Sequence, residues 1–92
     1  MTKDGTPPTA KDFRAELGRW LALAQRTGHP HVDIKSGDLH RRVGGYPAPR
    51  GLHRMPTCCH VMKGEMVNED KVICAPPSGK GATLVIRYRL PR

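Results

Sequence analysis

Ninety-two residues with a formal net charge of +8 make one small basic domain, with core enough to fold alone and little to spare. A chain this short rarely holds both a catalytic cleft and its scaffold, so a non-enzymatic role is expected. No apolar run approaches a membrane span and no apolar signal core follows Met1, so a cytoplasmic protein is the expectation.

The chain opens on a polar, Pro-rich stretch, residues 1–8, which reads as a flexible tail ahead of a domain at 9–92. Thr9-x-x-Asp12 resembles a capping box. Phe13, Leu17, Trp20, Leu21 and Ala24 then recur at helical spacing and predict a helix over about 10–27, stopped by Gly28 and Pro30. Trp20 sits on the apolar stripe and reads as core rather than as a platform for a base. His31-Val32-Asp33-Ile34-Lys35 alternates and predicts a short strand.

Ser36 is a plausible N-cap for a second helix over about 37–43. Asp38 lies in its first turn and Arg41 and Arg42 in its last, which matches the helix dipole. Gly44-Gly45 ends it, and a connection rich in Pro and Gly follows. Pro56 suits the first turn of a third helix over about 56–66. Its wheel places Met55, Cys58, Cys59, Met62 and Met66 on one side. Thr57, His60, Val61 and Gly64 fall on the other, with Lys63 at the border.

A hairpin closes the chain. Residues 70–75 and 82–90 read as its strands, joined by Pro76-Pro77-Ser78-Gly79-Lys80-Gly81. Leu84, Ile86, Tyr88 and Leu90 share one strand face and should pack inward, because an isolated hairpin is barely stable in water.

Charge is uneven along the chain. Residues 1–34 carry a net of +1, 35–63 a net of +5, 64–70 a net of −3 and 71–92 a net of +5. If the middle segment and the hairpin share a face, the result is a phosphate-binding surface.

The order helix, short strand, helix, helix, hairpin resembles the winged-helix variant of the helix-turn-helix DNA-binding superfamily over about residues 9–90. The resemblance rests on element order. It implies an α+β domain of three helices with a C-terminal hairpin wing, the third helix in the major groove and the wing on phosphates or the minor groove. Thr57, His60, Val61 and Lys63 would then form the recognition face, with Arg54 just before the helix and Lys80 at the wing tip. The link before the third helix is about a dozen residues, where a simple helix-turn-helix uses three or four. That link carries Arg50, His53 and Arg54, which become candidates for the contact surface.

The expected phosphate neutralisers are Arg41, Arg42, Arg50, Arg54, Lys63, Lys80 and Arg87, and the expected base readers are Thr57 and His60. Other chemistry finds less support. Cys58-Cys59-His60 lacks the spacing that lets two thiolates converge on zinc, so neither metal nor cofactor is expected. An odd number of cysteines points to reduced thiols. Ser78-Gly79-Lys80-Gly81 fails as a P-loop, because Gly follows the Lys and a strand follows the turn. Asp33-x-Lys35 has no partner carboxylate of the metal-nuclease kind. The expected partner is double-stranded DNA, with the protein acting in transcription regulation or as the targeting part of a larger DNA-processing or restriction system. RNA binding and protein docking are the alternatives. Four aromatics, Phe13, Trp20, Tyr46 and Tyr88, leave few stacking platforms for single strands.

Overall fold

The computed structural model describes residues 8–43, 54–77 and 81–92. Three helices and a three-stranded antiparallel sheet alternate in the order α1 (Ala10–Arg26), β1 (His31–Lys35), α2 (Ser36–Val43), α3 (Met55–Gly64), β2 (Lys71–Cys74) and β3 (Val85–Arg89). The class is α+β. Of the expected tail, residues 1–7 lie outside the described residues and Pro8 is buried.

Both ends of α1 are specified locally. At its start the Asp12 N–H donates to Thr9 Oγ1 at 3.3 Å, and Thr9 N–H donates back to Asp12 Oδ2 at 2.8 Å, a complete capping box. At its end Gly28 takes φ 86° and the N–H groups of Gly28 and His29 return to the carbonyls of Gln25 and Ala24. This is a Schellman stop, which needs a residue free of the Cβ penalty in the left-handed region.

The sheet is ordered β1-β3-β2, so the hairpin extends outward from a strand laid down more than fifty residues earlier. Ile34 pairs with Ile86 and Val32 with Tyr88, which sets the apolar positions of β1 and β3 on one face. Leu84, Ile86, Tyr88 and Leu90 are all buried against the helices, as their alternation predicts. Leu84, Ile86 and Tyr88 meet Phe13 and Leu17 from α1, Leu39 and Val43 from α2, and Met55, Cys58, Cys59 and Met62 from α3. The Tyr88 hydroxyl donates to the Met62 carbonyl at 2.8 Å, satisfying one of the acceptors left over at the end of α3.

The boundaries differ from the sequence expectation at the hairpin. The strand expected over 82–90 begins only at Val85, because the backbone before it faces α2 instead of β2. Ser36 N–H donates to Leu84 O at 2.8 Å and Gly37 N–H to Ala82 O at 3.0 Å. A register shift between Val72 and Cys74 marks the same departure on β2. Ser36, expected as an N-cap, is the first residue of α2, and its hydroxyl donates across the fold to the Gly81 carbonyl.

Candidate nucleic-acid interface

The third helix is held from beneath at its first turns. Arg54 precedes it with φ −132° and ψ 42° and makes no side-chain cap bond, and Pro56 occupies its first turn. The Arg54 backbone N–H donates to Nε2 of His40 at 3.0 Å. His40 lies on α2, fully buried, its ring edge-on to Phe13 with centroids 4.8 Å apart. A ring nitrogen that accepts carries no proton, so this imidazole is neutral with its proton on Nδ1. Residues 44–53 lie outside the described residues, yet α2 and α3 are joined directly at this bond.

The cysteines reinforce the same junction. Cys58 Sγ lies 3.6 Å from the Ser36 carbonyl, and Cys59 Sγ lies 3.3 Å from the Gly81 nitrogen, which donates to it. Burial, and then the neighbouring Cys59, push the Cys58 thiol up to about 12, so it stays protonated and unreactive. Cys74 is exposed on the far strand. Among the described residues no three His, Cys, Asp or Glu side chains converge as a metal site would require.

With one side so held, α3 turns His60 and Lys63 to solvent, with Thr57 half-buried near its start. Val61 departs from the expected recognition face. It is 3% exposed, because α3 packs against both α1 and α2 and so buries more than a single stripe. Cys58, Cys59, Val61 and Met62 are all inside.

The arginines of α2 follow His40 on the last turn of that helix. Arg41 pairs with Asp38 at 3.0 Å, both exposed. Arg42 Nε lies 3.5 Å from Glu16 of α1. Glu16 also accepts from Trp20 Nε1 at 2.7 Å and from Arg19 Nε at 2.9 Å. Burial opposes the charge on Glu16, but the hydrogen bonds from Arg19 and Trp20 and the field of Arg19 and Arg42 outweigh it and hold the carboxyl below its ordinary range. Trp20 is half-buried, packed against the core rather than projecting as a platform for a base.

Arg87 is not part of this surface. It alternates with the buried Ile86 and Tyr88 and therefore projects from the side of the sheet away from the helices. There it grips Asp33 of β1 with two bonds, Nε to Oδ1 at 2.8 Å and Nη2 to Oδ2 at 3.1 Å. Hydrogen bonding to Arg87 holds the Asp33 carboxyl below its ordinary value. The expectation that Arg87 and the third helix face one ligand together is thus corrected, since the core lies between them. Arg50, His53 and Lys80 lie outside the described residues.

The structure thus brings Arg41, Arg42, Arg54, Thr57, His60 and Lys63 onto adjoining elements and leaves Arg87 apart. Sequence reasoning missed His40, whose part in fixing α3 depends on a bond between residues fourteen apart in the chain. No helix among the described residues is long and apolar enough to cross a membrane. What the fold defines is a small α+β domain of three helices and a three-stranded antiparallel sheet. Comparisons with protein-family models, with curated proteins and with solved structures give no match.

Proposed function

We propose that this domain binds double-stranded DNA without catalysis, in the manner of a winged helix, with α3 entering the major groove. The observation that supports this most is the mounting of α3. It is packed into the core by Met55, Cys58, Cys59 and Met62, tied to α2 through His40, and exposes His60 and Lys63, while Arg41 and Arg42 are exposed on the last turn of α2. A rigid helix presenting Thr, His and Lys suits base edges and phosphates. The arginines of α2, with Arg54, supply the sequence-independent attraction to the backbone. The element order α1-β1-α2-α3-β2-β3 is the order on which the winged-helix resemblance rests. In this reading the domain serves as a regulator or as the targeting part of a DNA-processing or restriction system.

A second reading, docking of a partner protein, is favoured by an apolar groove of about 490 Å³ between α1 and the start of β1, lined by Trp20, Leu23, Ala24 and Val32. Salt dependence separates the two. Duplex binding through phosphates weakens linearly on a log–log plot as salt rises. An interaction module shows no duplex affinity even at low salt. In a titration of a short duplex, His60→Ala/Lys63→Ala, Arg54→Ala and Lys80→Ala should each weaken binding, and loss of Lys63 or Lys80 should lower the salt slope by about 1. Unchanged affinity in all three variants overturns the docking through α3.

A further inference from the structure

The outer face of the sheet is a second basic surface, separate from α3. Three strands in register set its side chains in rows. Lys71 lies opposite Arg87, which lies opposite Asp33, and Arg89 lies opposite His31. Lys35 ends the same row on β1, opposite Val85. Four cations, Lys35, Lys71, Arg87 and Arg89, therefore share this face with two acids, Asp33 and Glu69. Both acids are occupied, Asp33 by Arg87 at 2.8 Å and Glu69 by Arg89 at 2.7 Å. Lys35 and Lys71 are exposed and make no ion pair with any described residue, so the face keeps a positive excess. Between the strands lies a depression of about 360 Å³ lined by His31, Glu69, Lys71, Arg87 and Arg89.

We propose that this outer sheet face binds a second segment of double-stranded DNA, so that one domain bridges two duplexes. Charge complementarity commits the surface to a polyanion, because its two lysines, exposed and without an ion pair among the described residues, and the ion-paired arginines beside them present donors to phosphate oxygens. The open, shallow form and the absence of exposed Phe, Tyr or Trp side chains on these rows fit a duplex backbone better than unstacked bases, which need stacking partners. Arg87 and its neighbours project from the sheet side away from the helices, so this face is a surface separate from α3. A duplex seated on one therefore leaves the other open. The inference rests on the proposed DNA-binding reading for its first duplex, and it assigns the second.

The test uses the full chain, one duplex fixed on beads and a second, fluorescent duplex in solution. Wild-type protein should carry the fluorescent duplex onto the beads. Lys35→Glu/Lys71→Glu should lower that capture by about 10-fold while a single duplex is still bound in titration, and Lys35→Gln/Lys71→Gln, which adds no like charge beside Asp33 and Glu69, should lower it in the same direction. Thermal melts check that both variants remain folded. Bridging left unchanged by both variants overturns the proposal, as does single-duplex binding by wild type with no bridging, which leaves the α3 reading standing. Loss of all duplex affinity in the sheet variants, with His60→Ala/Lys63→Ala still binding, upholds the sheet face as a DNA site and overturns the α3 reading instead. No duplex binding by wild type overturns both.

Discussion

His40 of α2 accepts a hydrogen bond from the backbone N–H of Arg54, the residue that opens α3, at 3.0 Å. A buried imidazole thus ties α2 directly to the residue that opens α3. The bond matters more than its own strength, because it sets where the exposed stripe of α3 begins.

His40→Leu keeps the apolar bulk against Phe13 and removes the acceptor. A destabilisation of about 1–3 kcal/mol is expected from urea unfolding, with the Arg54 amide losing protection from hydrogen exchange more than the middle of α3 does. Equal loss of protection along the whole helix would show that the bond has no local role.

Tyr88→Phe leaves the Met62 carbonyl without its donor inside the core. The ring packing survives, so the expected cost is the hydrogen bond alone, about 1–2 kcal/mol in equilibrium unfolding. A change under a few tenths of a kcal/mol would mean that the carbonyl finds another donor.

Glycines 18 and 37 should respond to alanine with opposite signs. A Cβ on Gly37 would meet the Ala82 carbonyl oxygen at 2.9 Å, and that oxygen is backbone already bonded to the Gly37 N–H. The helix-propensity gain of about 1 kcal/mol is then outweighed by displacement of the hairpin, and Gly37→Ala should be net destabilising. A Cβ on Gly18 meets nothing within 4 Å, so Gly18→Ala should raise stability by about 0.5–1 kcal/mol. Thermal melts of the two variants in one buffer decide both signs.

Acid should weaken the fold through Asp70. This carboxylate accepts from Val67 N–H at 2.8 Å and Arg89 N–H at 2.7 Å and pairs with Arg92 at 2.9 Å. Burial opposes its charge, but those bonds prevail and hold its folded pKa below the ordinary 3.8. The folded value lies under the unfolded one, so its contribution is present above about pH 4 and is lost as pH falls through the folded value. Asp70→Asn should therefore be less stable than wild type at neutral pH, with a gap that narrows below pH 4. A gap that stays constant from pH 7 to pH 3 would exclude this linkage.

Features that depend on neighbours a few residues apart are legible along the chain. Thr9 and Asp12 form their capping box, Gly28 stops α1, and Leu84, Ile86, Tyr88 and Leu90 turn inward, because capping geometry and strand alternation are written locally. Alternation also put Arg87 on the strand face opposite that apolar set. Tertiary structure alone decided that this face looks away from α3, since helical and sheet layers acquire sides only when the core assembles between them. It likewise decided that Val61 is buried, by packing α3 against both α1 and α2. Ser36 became a cross-link to Gly81, forty-five residues away, and ended the long strand early by drawing the backbone of Ala82 and Leu84 toward α2. Periodicity reports which side of an element is apolar. Which elements lie on that side, and what their backbones bond to, is fixed by contacts between residues far apart in the chain.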